Sequence, residues 1–173
     1  MFAYRTAALE IRLAMPSDIP DMIEVHRLSW EAAYRGIIPD IYIEEMNTRR
    51  PGSFARMVTS ENATQHIILK DGRAVGILGI DEPRDEDLDD RFHELQGIYL
   101  HPDYYRQGIG SEAMEFAYSL AQNLCKTFMV LWVLAENQAA IGFYVKQGFC
   151  ADGASRVYSF GNEMKGIRMR KAL

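Results

Sequence analysis

The chain has 173 residues, 48% of them hydrophobic and 25% charged, the balance of one globular domain large enough to bury a core. Its net charge is −5, without a basic stripe or an apolar run of membrane-spanning length, so nucleic acid and the bilayer are not expected partners. The N-terminal stretch MFAYRTAALEIRL lacks the apolar region and cleavage site of a secretion signal. Cys125 and Cys150 sit in apolar segments without metal-ligand spacing, so buried reduced thiols, no metal and a cytoplasmic location are expected.

In chain order, the alternation of Leu9, Ile11 and Leu13 predicts a first strand. Pro16-Ser17-Asp18 reads as a helix start with Ser17 as the cap. Ile19, Ile23, Trp30 and Ala33 recur at helical spacing until Gly36. Pro39 to Met46 and Ser53 to Ser60 read as two short helices. Gln65 to Lys70 and Ala74 to Ile80 are strands joined by the hairpin signal Asp71-Gly72. His93 to Leu100 is a long strand. Gly108 to Leu124 is a helix with Ile109, Ala113, Phe116, Ala117, Leu120 and Leu124 inward. Thr127 to Leu134 is a buried strand by its unbroken apolar character. Gln138 to Lys146 is a helix stopped by Gly148. Ala154 to Phe160 and Glu163 to Arg170 form a closing hairpin. This order predicts an α/β fold on a central, partly antiparallel sheet.

Between the third and fourth of these strands lies DEPRDEDLDD, Asp81 to Asp90, with seven acids and one arginine. Two readings stay open. It is a solvated loop, or it is an acidic rim that concentrates a cationic substrate.

The run strand, HPDYYRQ, GIG, helix carries the chemistry. Glycines at a helix start let a ligand approach the backbone. The first N–H groups of a helix lack internal partners and carry partial positive charge. Together they suit a phosphate, with Arg106 and Gln107 as further donors. A Walker loop does not fit, because no Gly-Lys-Ser/Thr follows. GIGSEA matches the GxGxxA of dinucleotide binders. That motif, however, wants its glycines directly after a strand and an acid about 20 residues on, which Glu136 misses. A tight turn before an ordinary helix is the remaining alternative.

Tyr105-Arg106-Gln107-Gly108-Ile109-Gly110 resembles the Q/R-x-x-G-x-G/A signature of the GNAT superfamily of N-acetyltransferases, with Tyr105 in place of Gln or Arg. VLAENQAAIGFYVKQGF, Val133 to Phe149, resembles the family's second pattern at Asn137, Ala140, Phe143, Tyr144, Lys146, Gly148 and Phe149. The resemblance spans about residues 9–170. It implies a single GNAT-like α/β domain over 1–173. That fold has a mixed, mostly antiparallel sheet flanked by helices, with a splayed strand pair at the cofactor site. It also implies acetyl-CoA as co-substrate and direct attack by a primary amine in a ternary complex.

Residue by residue, the resemblance implies that the backbone of Ile98, Tyr99 and Leu100 holds the pantetheine arm. It places Tyr105, Arg106, Gln107, Gly108, Ile109, Gly110 and Ser111 around the pyrophosphate. Asn137 binds the cofactor or caps the helix that follows. Tyr144 matches the family tyrosine aimed at the sulfur, a general acid protonated at neutral pH; packing alone is its other reading. Glu94 stands at the spacing of a general base in some relatives, or is the tail of the acidic segment. His93 alternates to the opposite face. Gly97 suggests a bulge or close backbone approach. Trp30 and Tyr34 lie on the helix pair that covers the acceptor pocket in the family, and Trp30 also fits the core stripe. The acidic segment motivates a small cationic acceptor such as a polyamine, with a peptide or protein amine next. A non-catalytic acyl-CoA sensor is the alternative from another class. Dimers are common among relatives, so a homodimer is an expectation of the resemblance alone.

Overall fold

The structure is a computed structural model that describes residues 3–5 and 9–173, with side chains from residue 9 onward. The reading of the N-terminal stretch as free of a leader falls largely outside the described residues.

Leu9–Leu13 (β2) buries Leu9 and Ile11. Ahead of it, Ala3–Arg5 (β1) pairs antiparallel with it; three residues are too few for alternation to reveal a strand. A 3-10 turn, Pro16–Asp18, leads into α1 (Ile19–Tyr34). Asp18, not Ser17, does the capping: its Oδ2 accepts from the Met15 N–H at 2.7 Å. A charged carboxylate that also meets Arg12 Nη1 at 2.6 Å outcompetes a serine hydroxyl at this turn. The buried residues of α1 are Met22, Val25, Ser29 and Trp30. Ile19 and Ile23 lean on the edge of that stripe rather than fill it.

Asp40–Thr59 (α2) is one helix of 20 residues where two short ones are expected. Pro51 and Gly52 read as a break, and an interior proline removes a helical hydrogen bond. Yet Ile43, Arg50, Phe54 and Val58 are all buried, so one continuous stripe packs down and outweighs the local cost.

Gln65–Lys70 (β3) and Arg73–Asp81 (β4) are joined by Asp71-Gly72, both left-handed at φ +50° and +75°, the geometry of a primed hairpin turn. Phe92–Leu100 (β5), Ile109–Asn123 (α3), Phe128–Leu134 (β6), Gln138–Lys146 (α4), Cys150–Ser159 (β7) and Glu163–Ala172 (β8) follow. The sheet runs β1-β2-β3-β4-β5-β6-β8-β7. Among the strands of the described residues only β5 and β6 pair in parallel; the other pairs are antiparallel. The expected mixed, mostly antiparallel sheet is therefore present. α1 and α2 cover one face, with Met22, Phe54 and Val58 on Ile67 and Ile77. α3 and Tyr144 of α4 cover the other, against Ile11, Ile68, Leu78, Leu95, Met129 and Leu131.

The end of α3 departs from expectation. The Lys126 N–H returns to the Ala121 carbonyl at 2.9 Å, and Cys125 between them is left-handed at φ +58°. This is a Schellman closure with cysteine where glycine usually sits. Leu124 is exposed, so the buried stripe stops at Ala121. Cys125 and Cys150 are also exposed, which corrects the expectation of buried thiols. A residue past the last helical turn, and one at the start of an edge strand, face solvent despite apolar neighbours in sequence.

Candidate active site

β5 and β6 pair from Phe92 opposite Phe128 to Leu95 opposite Leu131, and then stop. β5 continues along β4 as far as Leu100 opposite Gly76. β6 continues along β8 as far as Leu134 opposite Gly166. The β6-facing backbone of Ile98, Tyr99 and Leu100 is therefore an open strand edge inside a sheet, ready for an extended chain to pair with it. The register against β4 slips where Gly79 faces Gly97 and Ile80 faces Leu95, leaving Gln96 as the bulged residue. A Cβ on Gly97 would lie 2.7 Å from Tyr99 Cε2, so Tyr99's ring lies over a position only glycine can occupy without a shift.

Past β5, the 3-10 turn Pro102–Tyr104 leads to two left-handed residues, Arg106 at φ +61° and Gly108 at φ +83°. Among the described residues, the N–H groups of Arg106, Gln107, Gly108, Ile109 and Gly110 donate to no backbone oxygen. Ser111 and Glu112 are the first to turn back, onto Gly108 O at 2.9 and 3.1 Å. Consecutive unpaired amides at the positive end of α3 fit a phosphate. A Cβ on Gly110 would meet the Phe143 ring at 3.3 Å, so this glycine lets α3 approach α4. The side chains divide differently. Gln107 Oε1 accepts from Lys70 Nζ at 2.7 Å and its Nε2 donates to Asp103 O at 3.0 Å, which braces the loop. Ser111 Oγ accepts from Gln147 Nε2 at 3.0 Å. Tyr105 and Arg106 are exposed.

On α4, Asn137 Oδ1 accepts the Ala140 N–H at 3.1 Å, the capping arrangement. Tyr144 packs edge-on against Phe143 and Phe149, with centroids 5.4 and 5.9 Å away. Burial pushes its hydroxyl well above the ordinary tyrosine range, so it holds its proton. Tyr34 is in electrostatic contact with Tyr99, Tyr144 and Asn137. The structure thus gathers Tyr34, Tyr99, Asn137 and Tyr144 where β5 leaves β6. Trp30 lies 4.9 Å from Tyr34, ring to ring, and is buried. Phe160, in the β7–β8 turn, closes on Trp30 at 6.1 Å. The Tyr99 side chain, valued from sequence only for its backbone, also packs on His26 with centroids 4.5 Å apart.

Glu94 stands below the splay, opposite Asp81 on β4 and Val130 on β6. Burial pushes its carboxyl up, and the Arg156 charge pulls it partly back. Arg156 itself lies 4.1 Å over the Trp132 ring and its Nε donates to the Tyr158 hydroxyl at 2.7 Å. Those three residues had no signal in the sequence, because β7 and β6 are brought within side-chain reach only by β8, which pairs with both. His93 shares the other face with Leu95, its Nδ1 3.8 Å from Glu82 Oε1.

The acidic segment is folded onto the chain's own cations. Glu82 meets Lys126 Nζ at 2.7 Å, Asp89 meets Arg91 Nη2 at 2.7 Å, and Asp87 meets Arg168 Nη2 at 2.6 Å. Asp85 accepts from Trp132 Nε1 at 2.9 Å. Among the described residues, no group of three His, Cys, Asp or Glu side chains stands ready to hold a metal. No helix among them is long and apolar enough to cross a membrane.

A family model described as the acetyltransferase (GNAT) family matches residues 20–149. The chain belongs to that family. It is 30% identical over 111 residues to an uncharacterized N-acetyltransferase in the pepI 3′ region of Lactobacillus delbrueckii subsp. lactis, covering 62% of this chain. It spans only 64% of that relative's length. It is 27% identical over 150 residues to spermidine N(1)-acetyltransferase of Thermoplasma acidophilum, covering 82% of this chain and 88% of that protein. Among solved structures, PaiA N-acetyltransferase from Thermoplasma acidophilum in complex with coenzyme A superposes with a TM-score of 0.75 at 23% identity, covering 96% of this chain and 99% of the other. This GNAT protein therefore shares its fold with a CoA-bound member.

Proposed function

We propose that this GNAT protein moves the acetyl group of acetyl-CoA to a primary amine by direct attack in a ternary complex. The parting of β5 from β6 beyond Leu95 and Leu131, directly ahead of the unpaired amides of Arg106 to Gly110, carries the reading. The pyrophosphate takes those amides. The pantetheine arm pairs with the edge of Ile98, Tyr99 and Leu100, whose amide faces the thioester oxygen. The amine nitrogen attacks the carbonyl carbon, and the C–N bond forms as the C–S bond breaks. Glu94 takes the amine proton directly or through water. The Tyr144 hydroxyl gives its proton to the departing sulfur. A tyrosine kept protonated by burial and a carboxyl raised by burial both suit these roles. Asn137 caps α4 and supports Tyr34, and Trp30 with Tyr34 walls the acceptor side.

The likeness to a spermidine acetyltransferase favours a polyamine acceptor. The pairing of Glu82, Asp87 and Asp89 with Lys126, Arg168 and Arg91 of the same chain offsets part of the charge that argued for one. The amine itself, not its cationic character, is what the reading holds to. A cytoplasmic site of action and a homodimer belong to it as well, read out by fractionation and light scattering.

The test is release of free CoA thiol across a panel of polyamines, amino acids and peptides. Turnover is expected with at least one amine, and Tyr144→Phe lowers kcat by roughly 100-fold or more. Acetyl-CoA raising the melting temperature while no amine releases thiol would replace the enzyme with an acyl-CoA sensor.

A further inference from the structure

A buried cation and a locked histidine stand beside the bulge of β5. Arg50 of α2 is 2% exposed. Its Nε donates to His26 Nδ1 at 2.7 Å, its Nη1 to the Asn47 side-chain oxygen, and its Nη2 has no partner among the described residues. The carboxylate acting on it from a distance, Glu31, is engaged by Arg27 Nη1 at 3.0 Å. Burying a guanidinium without a carboxylate partner is expensive. The guanidinium carbon lies 5.4 Å from the Trp30 ring centroid.

His26 transmits this cluster to an open space. Its ring stacks on Trp30 at 5.6 Å and meets Phe54 at 5.3 Å. Because Nδ1 accepts from Arg50, the ring proton resides on Nε2. Burial and the Arg50 charge push its pKa down to about 3, so the ring stays neutral and Nε2–H is a permanent donor. His26 lines a cleft of about 150 Å³ together with Phe54, Met57, Gln96, Gly97 and Tyr99. The cleft's amides are committed elsewhere: Gln65 Nε2 donates to Gln96 Oε1 at 3.3 Å, and Gln96 Nε2 to Asp81 Oδ2 at 3.4 Å. The cleft ends on Gly97, next to the strand edge assigned to the thioester.

We infer that this cleft seats a carboxylate of the acceptor, so that the acceptor is an amine bearing an acid group, an amino acid or a peptide end, rather than a plain polyamine. The inference rests on the acetyl-transfer reading for calling the ligand an acceptor. An anionic oxygen accepts from His26 Nε2 and sets its charge against the uncompensated charge of Arg50. An ammonium group in the same place meets a fixed N–H and a buried cation, both repulsive.

Lysine and cadaverine differ only by the carboxylate, so they separate the two outcomes. Calorimetry on the protein with CoA is expected to show lysine binding about tenfold tighter than cadaverine, the effect of one charge-assisted hydrogen bond. Thiol-release assays should show the same ratio in KM. His26→Phe should bring the two amines together, and so should Arg50→Met where a thermal melt shows that it folds; His26→Phe decides alone where it does not. Cadaverine binding as well as lysine, no binding of either, or a preference for lysine that survives His26→Phe overturns the inference. Tight lysine binding without thiol release from any amine leaves the cleft assigned and sinks catalysis instead.

Discussion

Arg168 grips Asp87 with both ends of its guanidinium, Nη1 to Oδ1 at 2.7 Å and Nη2 to Oδ2 at 2.6 Å. Its Nε donates to Asp152 Oδ2 at 2.7 Å, and the Arg168 and Asp152 side chains are only 7% and 4% exposed. One arginine on β8 therefore latches the Asp81–Asp90 loop to the sheet while neutralising a buried acid. Arg168→Met strands Asp152, and the expected loss is about 3 kcal/mol in urea unfolding. Amide exchange across residues 81–90 should speed up at the same time. Arg168→Lys keeps the charge but not the fork, so it recovers only part of the stability. A methionine variant as stable as wild type refutes the latch.

Arg12 holds the Asp18 carboxyl below the ordinary range, through its bond first and with help from the Met15 N–H, against the opposing effect of burial. The unfolded chain then binds a proton at Asp18 more readily than the folded one. Stability from this group is complete above the ordinary carboxylate pKa of about 4 and disappears as pH falls through the lower folded value. Asp18→Asn should cost about 2 kcal/mol at pH 6. The gap to wild type should narrow below about pH 4. Urea melts at pH 6, 4 and 3 measure it, and a gap that does not change with pH contradicts the assignment.

What sequence could reveal here divides by the kind of signal. β3, β4 and α4 were legible because periodicity, a primed turn and a cap all agreed locally. The turn into α3 that is proposed to hold a phosphate was legible as a turn, because Gly108 marks a left-handed residue directly before a helix start. α2 reads as two helices because Arg50 occupies a core position on its stripe, so the apolar period is interrupted where Pro51 and Gly52 also signal a break. The same substitution of charge for hydrocarbon hid the His26–Arg50 pair, whose members are 24 residues apart and meet only through packing of α1 on α2. The acidic segment was legible as charge and illegible as structure, because its partners Lys126 and Arg168 come from elsewhere in the fold.

Cys125 closes α3 in a left-handed conformation at φ +58°, which carries a steric cost for any residue with a Cβ. Cys125→Gly should raise stability by about 0.5–1 kcal/mol, while Cys125→Ala, which keeps the Cβ, should not. Since the thiol is exposed, a thiol reagent should label Cys125 in the folded wild type and miss it in both variants. A glycine variant that melts no higher than the alanine variant rules out strain at this turn.

Glu94 gives the proposed reaction a pH signature. Burial lifts its carboxyl and Arg156 opposes the lift. A base works only when ionised, so kcat/KM should fall as pH drops through the Glu94 pKa, with a midpoint above the ordinary glutamate value of about 4.3. Glu94→Gln should abolish that limb and lower kcat by roughly 100-fold or more. Arg156→Met removes the charge that favours the ionised carboxylate, so it should move the limb to higher pH. Arg156 also lies over Trp132 and holds Tyr158, so lost packing alone could reduce the rate, but it would not displace the limb. A midpoint identical in wild type and Arg156→Met means that the titrating base is not Glu94, and the proton then leaves through another group or a water chain.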